Sequence, residues 1–287
     1  MLIAMRVHPF PFRTRKLSSS APKILAWRRA GKIGNANTKK DNLLVVLFCY
    51  LEVNGINIQL NYIEKGSGEP LILLHGNGED NTYFVHQIEY FSKAYRVLAL
   101  DTRGHGKSPR GTAPFTIRQF AEDLYGFLDQ QGISKAHILG FSDGGNIALT
   151  FALRYPERVD RLILNGANLF PAGVKAAVQL PIVLGYHIAS FFGKRNSKAR
   201  KNAELLGLMV NEPHFKPEEL RTMAIPTLVI AGDRDMIKEE HTRLIHRSIP
   251  NSQLAILPGD HFLANRRPQA FNHAVEDFLS AGNPPFI

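Results

Sequence analysis

Gly140-Phe141-Ser142-Asp143-Gly144 joins an apolar run, Lys135 to Gly140, to a helical pattern that opens at Asp143. A strand that turns into a helix within so few residues holds the serine in a strained conformation and drives its Oγ outward. Glycines on either side let neighbouring backbone approach closely. Such a turn requires a buried strand before it and a helix behind it. Further apolar runs recur at Leu71 to Leu74, Arg96 to Leu100, Leu162 to Leu164, Thr227 to Ile230 and Gln253 to Leu257. Helical stretches lie between most of them: Asn81 to Phe91, Ile117 to Gln131, Gly144 to Arg154, Glu239 to Ser248 and Pro268 to Leu279. The alternation predicts an α/β fold with a mostly parallel central sheet covered by helices on both faces. Ahead of it, Phe48 to Val53 and Ile56 to Ile63 read as two strands joined at Asn54-Gly55, a short hairpin signal.

A serine hydroxyl near neutral pH is a poor nucleophile unless a general base takes its proton and an acid orients that base. Two strand ends supply candidates: Thr227 to Ile230 leads into Gly232-Asp233-Arg234-Asp235, and Gln253 to Leu257 into Pro258-Gly259-Asp260-His261. In a parallel sheet these ends form the edge where ligands bind. Upstream, the strand at Leu71 runs into His75-Gly76-Asn77-Gly78, where glycine frees the backbone to aim an N–H at developing negative charge. The amides of Asn77 and Asp143 are therefore the expected oxyanion hole, each donor typically worth about 3 kcal/mol of barrier.

Taken together, these segments resemble the α/β-hydrolase fold family from about Tyr50 to Leu279. The carriers are His75-Gly76-Asn77-Gly78, Asp101-Thr102-Arg103-Gly104-His105-Gly106-Lys107-Ser108, the turn at Ser142, Gly232-Asp233-Arg234-Asp235, and His261. Within the family, Gly-Phe-Ser-Asp-Gly-Gly is most similar to biphenyl-hydrolase-like and valacyclovir-hydrolase-like serine esterases. The resemblance implies the chain order Ser, acid, His. Its Gly-x-x-Asp pattern puts the acid at Asp235 rather than Asp233 or Asp260. It thus implies a serine hydrolase acting on a small ester or related acyl substrate through a catalytic Ser142-His261-Asp235 triad. A carbon–carbon bond hydrolase, a lactonase or a perhydrolase would use the same residues. A ligand-binding sensor of the same fold is the rival from another class, and a damaged triad would mark it. Serine at the turn, where aspartate would stand in haloalkane dehalogenases and epoxide hydrolases, argues against those chemistries. The resemblance further implies that the Asp143 carboxylate binds a substrate ammonium. The structural alternative is an acid favoured by the dipole of its helix. Asp101 and Arg103 are expected to organise a turn, and His75 and His105 to fix their loops.

About fifty residues separate the strand at Leu162 from that at Thr227, too many for an ordinary crossover. A short helical lid insertion is expected at about 168–222. Its most apolar part, Val178 to Phe192, is expected to pack the lid against the body, with some residues lining an acyl pocket.

The net charge of +10 suggests an anionic partner until its distribution is counted. Residues 1–41 hold ten Lys and Arg against Asp41 alone, leaving 25 basic and 24 acidic residues beyond them. A near-neutral body implies no basic face for nucleic acid or an anionic membrane. Residues 1–45 are expected to form a basic, disordered extension ahead of a hydrolase domain over 46–287. The extension resembles a mitochondrial transit peptide, or reflects a start placed upstream of the true one, so the expected location is cytoplasmic, alternatively mitochondrial. Leu43 to Leu51 is too short to span a bilayer, and no transmembrane segment is expected. Cys49 is the only cysteine, which fits a reducing compartment. No metal-ligand spacing or phosphate loop is present, so no metal and no cofactor are expected. Oligomeric state is left open.

Overall fold

The computed structural model describes residues 58–281. The extension, Cys49 and the expected strand Phe48 to Val53 with its Asn54-Gly55 turn lie outside the described residues. The described chain forms one seven-stranded sheet from β1 (Tyr62–Lys65), β2 (Glu69–Leu74), β3 (Tyr95–Leu100), β4 (Ala136–Phe141), β5 (Val159–Asn165), β6 (Thr227–Gly232) and β7 (Ser252–Leu257). The spatial order is β1-β3-β2-β4-β5-β6-β7. β1 runs antiparallel to β3 and every other pairing is parallel.

Period-two alternation divides the core. Leu71, Leu73, Val97, Ala99, Leu139 and Ile163 face one way, against Ile88 and Phe91 of α1 (Val85–Phe91) and Phe271 and Val275 of the C-terminal helix, Pro268–Ser280. Ile72, Leu74, Leu98, Leu100, Ile138 and Leu164 face the other way, against Phe120, Leu124 and Phe127 of α2 (Ile117–Gln130) and Ile147 and Phe151 of α3 (Asp143–Arg154). Both faces are dry, which is why the strands read as unbroken apolar runs. α2 has a local cause as well: Thr116 caps it by accepting from Gln119 N at 3.1 Å, and its apolar residues recur every three or four positions.

Two expected elements differ. The first described strand begins at Tyr62, because Asn61 is held by the loop after β3: its N–H donates to Ser108 Oγ and its carbonyl accepts from Asp101 N, both at 2.8 Å. The single helix expected over Asn81 to Phe91 is one turn of 3-10 helix (Asn81–Phe84) followed by α1. Asp80 accepts from Thr82 N, and Asn81 N donates to the Asp101 carboxylate at 2.8 Å.

The region between β5 and β6 carries α4 (Ala176–Gly193), α5 (Ser197–Asn211) and α6 (Pro217–Leu220). α4 and α5 pack on each other, with Gln179 Nε2 donating to Met209 O at 3.1 Å. Glu212 accepts from Ile117 N at 2.7 Å and Phe215 N donates to Leu169 O at 2.8 Å, tying the insertion to the body. The expectation that the apolar residues of Val178 to Phe192 pack on the body is corrected in part. Leu180, Leu184, Ile188, Phe191 and Phe192 are exposed, because α5 covers only one side of a helix that is apolar all round. After β6 come α7 (Glu239–Ser248), α8 (Leu263–Arg266) and α9 (Pro268–Ser280).

Candidate active site

Parallel strands end on a common edge, and this edge gathers residues remote in sequence: His75 to Asn77 after β2, Ser142 after β4, Gly166 after β5, Asp235 after β6 and His261 after β7. Ser142 has φ 54° and ψ −120°, the one positive-φ residue other than glycine among the described residues. A conformation this sparsely populated costs on the order of 1–3 kcal/mol and persists only where its surroundings enforce it. Ser142 N donates to Asn165 O at 2.8 Å, and its own carbonyl accepts from Gly145 N at 2.8 Å and Asn146 N at 3.1 Å. The flanking glycines are required sterically. A Cβ at Gly140 would lie 2.2 Å from Gly144 O, and one at Gly144 would lie 2.0 Å from Leu74 O.

Ser142 Oγ lies 3.0 Å from His261 Nε2, and His261 Nδ1 lies 2.7 Å from Asp235 Oδ1. A carboxylate only accepts, so Nδ1–H donates to Asp235 and leaves Nε2 free to accept the serine proton. Asp235 is also fixed by Ile237 N, which donates to the same oxygen at 2.9 Å. His261 and Asp235 are both buried, and the imidazole is flanked by the Phe141 and Phe262 rings. Of the three candidate aspartates, Asp235 alone meets the histidine. Asp233 accepts from Gly259 N at 2.9 Å, and Asp260 pairs with Arg266 at the surface.

Asn77 and Asp143 supply backbone amides at this edge. Neither N–H has a hydrogen-bond acceptor among the described residues, as the first turn of α3 would leave its leading donor. The Asn77 side chain instead reaches the insertion, donating to Leu205 O of α5 at 2.7 Å.

The chain and its fold have known counterparts. Residues 69–186 match the family model described as alpha/beta hydrolase fold. A meta-cleavage product hydrolase from Pseudomonas fluorescens IP01 superposes with a TM-score of 0.66 at 26% identity, over 79% of this chain and 96% of that one. This chain has the α/β-hydrolase fold. Among its relatives, 3-oxoadipate enol-lactonase 2 of Acinetobacter baylyi is 29% identical over 255 residues, covering 79% of this chain and 95% of the relative. The human serine hydrolase BPHL is 28% identical over 256 residues, covering 79% of this chain and 84% of its own.

Other residues at the hydrolase's edge are support. Asp101 accepts from Asn81 N at 2.8 Å, Lys107 N at 2.8 Å and the Asn61 side chain at 2.7 Å. Arg103 forks onto the buried Asp123 of α2. His75 Nε2 accepts from Thr102 N at 3.0 Å, so its Nδ1–H donates to Gly76 O at 2.7 Å, and burial holds its pKa down. Among the described residues no cluster of His, Cys, Asp and Glu could hold a metal ion.

Three parts of the α/β-hydrolase site carry no sequence motif. Gly166 (φ 61°) lies under the imidazole, and a Cβ there would stand 2.8 Å from His261 Cε1. Asn146 and Asn168 form a buried relay: Asn146 Nδ2 donates to Asp143 Oδ1 at 3.2 Å and to Asn168 Oδ1 at 3.0 Å, while Asn168 N donates back to Asn146 Oδ1 at 3.0 Å. Burial pushes the Asp143 carboxyl up to about 6 against the pull of the Asn146 and Asn77 side chains, and its Oδ2 is buried without a hydrogen-bond partner. Glu79 accepts from Gly76 N at 3.1 Å, and burial pushes its carboxyl up to about 7 despite that bond and the nearby His261. The positions of Gly166 and Asn168 just past a strand end were the available clue; Glu79 offered none.

Proposed function

We propose that this α/β-hydrolase cleaves a small carboxylic ester or related acyl compound through an acyl-enzyme. Ser142 Oγ attacks the carbonyl carbon as its proton passes to His261 Nε2, and Asp235 steadies the resulting imidazolium through Nδ1–H. The oxygen that gains negative charge is received by the Asn77 and Asp143 amides. His261 then returns the proton to the departing alcohol, and water repeats the cycle on the acyl-serine. The observation that carries this reading is the unbroken Asp235-His261-Ser142 hydrogen-bonded series, 2.7 and 3.0 Å long, ending on a serine at φ 54°.

A finer reading concerns the acyl group. The Asp143 carboxylate, beside the nucleophile and with Oδ2 unpartnered, would receive an ammonium on the acyl portion. Lactone cleavage and carbon–carbon cleavage remain alternatives for the same residues, the former because a relative is named an enol-lactonase and the latter because a similar structure is named a meta-cleavage product hydrolase.

Ser142→Ala tests the reading. The variant should keep the parental melting temperature and lose both turnover and labelling by a fluorophosphonate probe, since losing a triad member costs several orders of magnitude. Near-parental activity would overturn the mechanism. Chromogenic esters of graded acyl length, run beside a lactone and a vinylogous 1,5-diketone, rank the substrate classes by kcat/KM.

A further inference from the structure

Of the seven large apolar side chains exposed among the described residues, five belong to α4: Leu180, Leu184, Ile188, Phe191 and Phe192. Their spacing of four, four, three and one residues puts them on a single stripe of an α-helix. Exposure is not marginal, at 67% for Leu180 and 76% for Phe191. The opposite side is half-buried through Val178, Ile182, Tyr186 and Ala189. There α5 approaches so closely that a Cβ at Gly207 would stand 3.3 Å from the Tyr186 ring.

Charge is arranged just as unevenly. No acidic residue occurs between Lys175 and Ala203. The stripe runs directly into exposed Lys194, Arg195, Lys198, Arg200 and Lys201, and none of these five forms an ion pair among the described residues. A wide apolar stripe beside a cationic cluster suits a surface that is apolar within and anionic at its rim.

We infer that α4 is an interfacial helix: its Leu180-to-Phe192 stripe beds into the acyl boundary of an anionic lipid surface while the 194–201 cations meet the headgroups. α4 has the length and composition to cross a membrane; packed along α5, whose first turns carry Lys198, Arg200 and Lys201, it would instead lie in the plane of the surface. Its 18 residues then lay about 27 Å of helix along the interface. The site edge reaches the same insertion, since the Asn77 side chain is bonded to Leu205 of α5.

Vesicle co-sedimentation of the full chain tests this, with phosphatidylcholine vesicles alone or containing phosphatidylglycerol. Binding should require the anionic lipid and fall as salt is raised. Leu184→Ser/Phe191→Ser should weaken it by tenfold or more. Lys194→Ser/Lys198→Ser should weaken it about 25-fold, at about fivefold per cation near the surface. Both variants alter exposed side chains, so melting temperature and ester turnover should stay parental. In Phe191→Trp, the added emission should shift to the blue on anionic vesicles and be quenched by brominated acyl chains. Binding unaffected by the α4 substitutions would overturn the inference and assign it to the cations of residues 1–41. Absence of binding would overturn it too. A dimer that Leu184→Ser/Phe191→Ser converts to monomer, with no vesicle binding, would show that a second copy covers the stripe.

Discussion

Gly166→Ala separates positioning of the imidazole from simple stability. The residue has φ 61°, where alanine costs roughly 1–2 kcal/mol more than glycine. Its new Cβ would stand 2.8 Å from His261 Cε1 and 3.0 Å from Nδ1, whereas ordinary contact begins near 3.4 Å. The ring must therefore retreat by about 0.6 Å, the difference between 3.4 and 2.8 Å, which stretches its bonds of 2.7 and 3.0 Å to Asp235 and Ser142. A misplacement of 1 Å can cost on the order of a hundredfold in rate, so about 0.6 Å implies a fall in kcat of roughly tenfold. Gly132→Ala is the control: φ is 65° and nothing lies within 4 Å of the added Cβ, so it incurs the same backbone strain far from the edge. Both variants should melt about 2–8 °C below the parent. Only Gly166→Ala should lose kcat on a chromogenic ester. A parental kcat in the folded variant, or an equal loss in both, would refute the positioning argument.

Asp235→Asn should lower kcat by about four orders of magnitude by destabilising the productive tautomer, while Asp233→Asn should stay within about threefold; the reverse ranking would move the acid. A valine ester should be favoured over its deaminated isovalerate analogue by roughly tenfold or more, and Asp143→Asn should erase the preference; equal kcat/KM values in the parent would sink the ammonium reading. Because the Asp143 carboxyl is held at about 6, that preference should be present above pH 6, fade as pH falls through it, and fade again as the substrate amine deprotonates above about 8. For Glu79 the folded state keeps its proton up to about 7 while the unfolded chain releases it near 4.5, so this group's contribution to stability falls as pH rises from 4.5 to 7. Glu79→Gln should flatten the melting temperature over that window, and an unchanged slope would count against the assignment.

β2, β4 and β6 were legible because strands buried on both faces leave unbroken apolar runs, and Ser142 because a strand–serine–helix turn demands small residues at Gly140 and Gly144. The lid helix was legible as a helix but not in its orientation: a segment apolar all round carries no signal for which side α5 will cover. Nor could a near-neutral body charge reveal five cations gathered at one end of α4, because a sum over residues discards position. Gly166, Glu79 and the Asn146-Asn168 relay were out of reach for a related reason. Each acts on a partner from another strand, and only the closed sheet sets them beside it.

Glu204 and Leu205 are consecutive residues of α5, yet they hold separate parts of the edge. Glu204 forks onto Arg110 at 2.7 and 3.0 Å, and Leu205 O receives the Asn77 side chain at 2.7 Å. One turn of the cover thus latches both the loop after β3 and the loop carrying a proposed oxyanion donor. Lifting α5 to admit a bulky molecule would release both latches together, and their re-formation would reset Asn77. If α5 did lift in this way, opening and readiness for the proposed chemistry would be opposed states of a single helix turn, and a substrate small enough to slip beneath α5 would avoid the conflict.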